Sequence, residues 1–344
     1  MRDNKQELAD VTPLLKELGY ALEEKQPHIG GERHLTGPIG SGHKLLLLGT
    51  DAGGKRVVIK ISNDPTAVAE MQHERVCRDL LERINFAAQV FNSPREILFA
   101  KCQGYTILIT EFVGQEKSFL ERPVEEQFAL ALGAFKAQEG AHAATYSHAR
   151  AIKNTFGEMR SGDYLAKLTG YAQQTRLPEA LEFVQKHRQT LEQYCGFLTH
   201  WDFTPQNIRV HGGDIYLLDH SSLRFGNKYE GWARFINFME LYNPPLAKAL
   251  VQYVKDNRAP EESLSLKVMR VYRLAELVCY YHGWLPRTQG DLHQLAQVRI
   301  DFWEKVLGLV LEDKEVPPEI VEGYKKTRDS LRSEEEKERQ QGLH

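Results

Sequence analysis

The sequence predicts an α+β chain of two lobes, a small antiparallel sheet followed by a larger helical body. Three observations carry this expectation. Short apolar runs dominate from about 34 to 113, with one helix inserted; helical periodicity dominates beyond Gly114; and one strand-rich segment, 195 to 222, interrupts the helices. The expected division is a helical extension over 1–33, a first lobe over 34–113, a second over 114–325 and a charged tail over 326–344. The seam near 113 is the natural place for a ligand cleft.

Each element has a local reason. Thr12-Pro13 reads as an N-cap with proline at the first helical position, Leu14, Leu15 and Leu18 as an apolar face and Gly19 as the stop. KLLLLGT and RVVIKIS are two strands joined by Asp51-Ala52-Gly53-Gly54, a hairpin signature. Asp64-Pro65 caps a long helix with Ala69, Leu80, Leu81 and Ile84 among its apolar positions. EILFAKC and YTILITEFV read as two further strands. The stretches 124–143, 178–194, 244–256, 263–283 and 291–311 carry helical spacing. The closing KKTRDSLRSEEEKERQQ mixes both signs of charge and reads as a solvated, fraying helix.

Composition narrows the function classes. Of 344 residues, 42% are hydrophobic and 26% charged, enough apolar content for a packed core. The net charge of −3 argues against general attraction to nucleic acid or anionic lipid. Cys77, Cys102, Cys195 and Cys279 lie far apart without a CxxC pair, which points to a reducing, cytoplasmic setting. No stretch approaches the roughly 20 apolar residues of a membrane helix. The histidines show no HxxxH spacing, and His142 with His148 fits a helix surface better than zinc; no G-x-S-x-G elbow supports a serine hydrolase. The sequence leaves the oligomeric state open.

The segment CGFLTHWDFTPQNIRVHGGDIYLLDHSS is the most informative. A tight turn at His211-Gly212-Gly213-Asp214 pairs residues whose numbers sum to about 425, so Asn207 falls opposite Leu218 or Asp219. A carboxamide and a carboxylate then share one end of a hairpin, as a magnesium ion carrying phosphates requires. Asp202, five residues before Asn207, can approach an acceptor hydroxyl and take its proton. Singly, Asp and Asn tie loops together; His200-x-Asp202-x4-Asn207, an apolar strand and Asp219 together form a compound pattern for phosphoryl transfer. His200 is assigned to the scaffold.

The string LTHWDFTPQNIRV…IYLLDHSS resembles the catalytic and metal-binding segments of the aminoglycoside phosphotransferase and choline kinase group, whose fold is protein-kinase-like. The resemblance runs in order over about 34–310, with its specific part at 198–222. It implies ATP as donor, Mg2+ as cofactor, Asp202 as base, and Asn207 and Asp219 as metal ligands. Two departures, Trp201 in place of a glycine and His220 in place of an aromatic residue, bear on the acceptor more than on the reaction. Lys60 ends the alternating Val57-Val58-Ile59 and could reach the donor's phosphates; Glu70 and Glu74 on the next helix could each pair with it, and Glu74 fits the family better. Gly37-Pro38-Ile39-Gly40-Ser41-Gly42 could bring backbone N–H groups to phosphate oxygens, with Gly40, Ser41 and Gly42 closest to the following strand; it is not a Walker motif. The Glu111 carbonyl and Val113 N–H would meet adenine's edge, with Thr110 alongside.

The expected activity is ATP- and Mg2+-dependent phosphorylation of a small-molecule hydroxyl on an amino alcohol, a sugar or an aminoglycoside-like compound. Neither Asp219-His220-Ser221 nor the succeeding SLRFGNKYEG gives a clear DFG or APE equivalent, which disfavours a protein kinase; a nucleotide-binding pseudokinase is the alternative from another class. Tyr272, Glu276 and Tyr280 recur every four residues and could receive a cationic or polyhydroxylated acceptor, though the same stripe suits packing between helices. Tyr229, Trp232, Phe235, Tyr242, Tyr281 and Trp284 enrich the same half of the chain in aromatic residues.

Overall fold

The computed structural model describes residues 4–26, 28–29, 42–83, 91–145, 149–174 and 177–341. Helix α1 (Asn4–Glu17) opens the chain. It begins earlier than Thr12-Pro13 suggests: Pro13 lies inside the helix, and the Thr12 hydroxyl donates to the Leu8 carbonyl at 2.6 Å rather than capping an N-terminus. Gly19, at φ +85°, supplies the left-handed stop. Strands β1 (Ala21–Leu22), β2 (Leu45–Thr50) and β3 (Arg56–Ser62) come next, with Thr50 opposite Arg56 across the expected hairpin.

Helix α2 (Pro65–Arg83) is capped by Asp64, whose Oδ1 accepts from the N–H groups of Thr66 and Ala67 at 2.9 and 3.2 Å. Its buried face is Ala67, Met71, Cys77 and Leu81; Ala69, expected on that face, is exposed, and Ile84 lies outside the described residues. After β4 (Phe91–Asn92), β5 (Glu96–Cys102) and β6 (Tyr105–Glu111) complete a five-stranded antiparallel sheet in the order β1-β2-β3-β6-β5. Leu45, Leu47, Val57, Ile59, Ile61, Ile107 and Ile109 form one continuous core with Val11, Leu14 and Leu15 of α1. At about 1.5–3 kcal/mol per fully buried side chain, this seals α1 onto the small lobe.

The second lobe begins with α3 (Val124–Thr145), α4 (Ala149–Phe156), α5 (Ser161–Gln174), α6 (Pro178–Lys186) and α7 (Arg188–Gln193). The periodicity read over 178–194 is two helices, broken at His187. Strands β7 (Phe197–His200), β8 (Ile208–His211), β9 (Asp214–Leu217) and β10 (Leu223–Gly226) come next. β8 and β9 pair with Ile208 opposite Leu217 and Val210 opposite Ile215, the register expected from the turn glycines; β4 joins β9 in parallel.

Helices α8 (Glu230–Tyr242), α9 (Pro244–Asn257), α10 (Pro260–Trp284), α11 (Gly290–Leu311), α12 (Pro318–Ser330) and α13 (Glu334–Gln341) complete the chain. α10 is the central pillar, packed against α5, α8 and α11. The expected tail boundary at 326 falls inside α12. The segment is also less solvated than its charge pattern suggests: Arg328 is buried, Glu336 is 2% exposed, and Tyr324 stacks on Phe302 at 4.1 Å. Among the described residues no helix is long and apolar enough to cross a membrane.

Candidate active site

Two strand pairings assemble the site. In the β7–β10 pair, His200 lies opposite Leu223, and the Trp201 N–H donates to the Ser222 carbonyl at 2.9 Å. In the β8–β9 pair, the Leu218 N–H donates to the Asn207 carbonyl at 2.8 Å. The loop holding Asp202, the 3-10 turn Pro205–Asn207 and the stretch after Leu217 are therefore drawn to one point. His200 pins the junction: its Nε2 lies 3.1 Å from the Leu218 carbonyl and 3.0 Å from that of Asp219, the scaffold duty expected of it.

Asp219 adopts φ +56°, ψ +62°, a left-handed conformation that Asp tolerates better than most residues. Its two carboxylate oxygens accept from the Ser221 and Ser222 hydroxyls at 2.6 and 2.9 Å. Burial raises its pKa, but the charges of Lys60 and His200, the Ser221 hydrogen bond and the charge of Lys44 outweigh burial and hold it at about 2. Next to it, burial and the neighbouring His200, Arg78 and Lys60 push His220 down to about 3, so its ring is neutral. That ring meets the Ser93 hydroxyl at 2.9 Å and packs under α2.

Lys60 projects from β3, 18% exposed, and its Nζ sits 2.6 Å from both carboxylate oxygens of Glu74. Burial lowers its pKa; Glu74 and Asp219 more than restore it, so the ammonium keeps its charge. Glu70 instead faces Lys44 at 3.1 Å, both about one-third exposed. Gly42 sits against the start of α2, where an added Cβ would come within 2.0 Å of the Ala67 nitrogen. The rest of the glycine-rich run, including Gly40 and Ser41, lies outside the described residues. At the interlobe strand, the Glu111 N–H donates to the Arg95 carbonyl at 3.0 Å and its Oε1 accepts from the Arg95 N–H at 3.0 Å. Val113 comes after Phe112, whose ring is covered by the Arg56 guanidinium at 3.9 Å.

Asp202 is held by both oxygens. Asn207 Nδ2 donates to its carbonyl at 2.8 Å and to its Oδ2 at 3.1 Å, while Arg234 of α8 donates to Oδ1 through Nε at 3.1 Å, with Nη2 at 3.0 Å. Arg234 does not stand out in the sequence. It is 32 residues from Asp202, and its only local trace is its place at the head of a four-residue spacing with Phe238 and Tyr242. Ser221 and Ser222 escape sequence reasoning for the opposite reason, because two serines after an aspartate are too common to signal.

The aromatic residues separate into core and surface. Tyr229, Trp232 and Phe235 are buried, with Trp232 stacked on Phe135 at 3.7 Å. Tyr272 is corrected from acceptor contact to core residue: it is 0% exposed and meets Tyr164 edge-on at 5.0 Å. Glu276, 23% exposed, pairs with Arg273 and accepts from the Tyr171 hydroxyl at 3.3 Å. Tyr280 is partly exposed and lies edge-on to Tyr281 and Trp284. His142 stacks on Phe197 at 4.1 Å; His148 lies outside the described residues.

Asn207 and Asp219 fit a metal site of the phosphate-assisted kind. Asn207 spends its Nδ2 on Asp202, and its Oδ1 takes part in neither of those bonds; Asp219 is ionised. Among the described residues no group of three or more His, Cys, Asp or Glu side chains is arranged to hold a metal by itself, and magnesium characteristically takes one or two protein oxygens plus phosphates and water.

No family model and no curated protein matches the sequence. The fold does match solved structures. Amicoumacin kinase hAmiN, in complex with AMP-PNP, Ca2+ and Ami, aligns over 92% of this chain and 98% of its own, with TM-score 0.57 and 12% identity. Macrolide 2'-phosphotransferase MphH from Brachybacterium faecium aligns over 86% and 98%, with TM-score 0.54 and 12% identity. A thermostable mutant of aminoglycoside phosphotransferase APH(4)-Ia aligns over 85% and 97%, with TM-score 0.52 and 15% identity. The chain therefore has the two-lobed, aminoglycoside phosphotransferase-like fold that its 198–222 segment suggested.

Proposed function

We propose that this protein transfers the γ-phosphoryl group of ATP to a hydroxyl of a small molecule. The observation that carries the reading is that Lys60, paired with Glu74, feels the charge of Asp219, while Asn207 bonds Asp202 and its carbonyl accepts from the Leu218 N–H. Lys60 binds the donor's phosphates and is kept in place by Glu74. Asp202 orients the acceptor hydroxyl and takes its proton as the oxygen attacks the γ-phosphorus and the bond from that phosphorus to the β,γ-bridging oxygen breaks, releasing ADP. Asn207 and Asp219 would hold Mg2+, which when bound would offset the charge that develops on the phosphates. The Glu111 carbonyl and Val113 N–H receive adenine. The solved structures of similar fold include a kinase with AMP-PNP and phosphotransferases named for macrolides and an aminoglycoside, which supports a small-molecule acceptor.

One observation favours a second reading, a nucleotide-binding pseudokinase: both oxygens of Asp202 are already occupied by Asn207 and Arg234. A single experiment separates the two. The full chain is incubated with γ-labelled ATP, Mg2+ and a library of hydroxyl compounds, with Asp202→Asn alongside. Label transferred to an acceptor by wild type and lost in the variant supports the transferase; ATP binding with no transfer to any acceptor or to water supports the pseudokinase.

A further inference from the structure

The faces of α8 differ sharply in burial. Residues 230–233, 235–237, 239 and 241 are buried, while Arg234, Phe238, Glu240 and Tyr242 are partly exposed. Arg234, Phe238 and Tyr242 stand at i, i+4 and i+8 and so form one stripe about 12 Å long at 1.5 Å per residue. They touch in sequence: the Arg234 guanidinium lies 5.4 Å from the Phe238 ring centre, and Phe238 stacks on Tyr242 at 5.4 Å with 17° between planes. The stripe starts at the base, because Arg234 grips Asp202 Oδ1 on the side opposite Asn207. In-line transfer brings the acceptor to the side of Asp202 away from the metal ligands.

The charges along this path are unfavourable to a cation. Arg234 is 20% exposed beside an Asp202 that is 29% exposed, so a guanidinium stands next to the base. Glu276, the carboxylate that an amine acceptor would need, is engaged by Arg273 and Tyr171. Glu240, on α8 itself, is likewise paired with Arg270 at 2.6 Å. On the other flank of Asp202, the Trp201 ring has the guanidiniums of Arg224 and Arg273 at 5.4 and 5.6 Å from its centre. Each of these guanidiniums is itself paired with a carboxylate, so Glu240 and Glu276 are already engaged and not left to receive a cation, and the aromatic surface complements a flat apolar ring without positive charge.

We propose that the Arg234–Phe238–Tyr242 stripe is the acceptor platform and that the acceptor is an alcohol with an apolar ring face and no positive charge near its reacting hydroxyl. This deepens the phosphotransferase reading and rests on it.

Three aryl sugars with one shape and three charges test the proposal: 4-nitrophenyl glucoside, the corresponding glucuronide and the corresponding 2-amino-2-deoxyglucoside. Each is titrated by calorimetry into the full chain with Mg2+ and AMP-PNP. The neutral and anionic probes are expected to bind about tenfold or more tighter than the cationic one, the scale of one like-charge contact in a partly solvated site. Phe238→Ala should weaken the neutral and anionic probes about tenfold through loss of the ring contact. Arg234→Met should close most of the gap between cation and neutral probe, while Arg234→Lys keeps it, which separates charge from folding. Equal or tighter binding of the amino sugar, binding of none of the three, or unchanged affinities in Phe238→Ala would overturn the proposal. Binding in the expected order with no label transfer from ATP would instead leave the platform standing and remove the transferase reading.

Discussion

On the proposed reading, the donor side and the acceptor side of the site are built in different ways. On the donor side, Lys60 and Glu74 are 14 residues apart, and Asp202, Asn207 and Asp219 fall within 18. On the acceptor side, the groups arrive from afar: Arg234 of α8 on Asp202 and Arg273 of α10 beside the Trp201 ring, brought there by the packing of these two helices. Short-range chemistry leaves a pattern in the sequence, whereas chemistry assembled by helix packing does not.

The largest expected effect is at the residue shared by both sides. Asp202→Asn should lower phosphotransfer by at least ~10²-fold while ATP affinity stays within a few-fold, the usual scale for losing a positioned base; turnover close to wild type would remove the shared centre. Next comes the buried ion pair of Glu230 with Arg224, whose guanidinium lies beside the Trp201 ring. Glu230 is fully buried, bonded to Arg224 and to the Tyr164 hydroxyl at 2.8 Å. Glu230→Gln strands buried guanidinium charge and should cost about 3 kcal/mol or more of folding stability, read by urea unfolding. If the loss is under about 1 kcal/mol, the Glu230–Arg224 pair is not the buried, mutually dependent pair described.

On the donor side, Asp219→Ala should abolish metal-dependent ATP binding, and Asn207→Ala should weaken it less, because an anionic ligand contributes more to a hard cation. Titrating Mg2+ against ATP affinity distinguishes them, and equal, metal-independent affinities in both variants would argue against these ligands. Glu74→Gln should then lower kcat/KM for ATP about tenfold by freeing Lys60. The smallest effect is expected from Glu70→Gln, whose pair with Lys44 is one-third exposed: under about 0.5 kcal/mol in stability and no change in ATP kinetics. Reversal of these last two would mean that the ion pair seen at Lys60 is not the working one.

The same division separates what is legible in the sequence from what is not. The hairpin register comes from Gly212-Gly213 and the alternation around them, and with it the meeting of Asn207 and Leu218. The start of α1 misleads because Thr-Pro is a strong capping pair, yet burial of Val11, Leu14 and Leu15 on the sheet carries the helix through Pro13. Tyr272 and Glu276 share a helical face with Tyr280, but periodicity cannot tell a face packed against α5 from one turned to a ligand. The role of Arg234 is invisible in the sequence, since an arginine amid buried apolar residues reads as a surface position until its carboxylate is known.

Gly42 carries a mechanical consequence. With no room for a Cβ between its backbone and the Ala67 nitrogen, the residue acts as a wedge against the head of α2, the rod that holds Glu74 two turns further on. Displacement at this end of the chain leading into β2 is transmitted along the rod with little compliance, because a helix is stiff over two turns. Even Gly42→Ala, the smallest possible thickening of the wedge, would force this backbone or the head of α2 to shift.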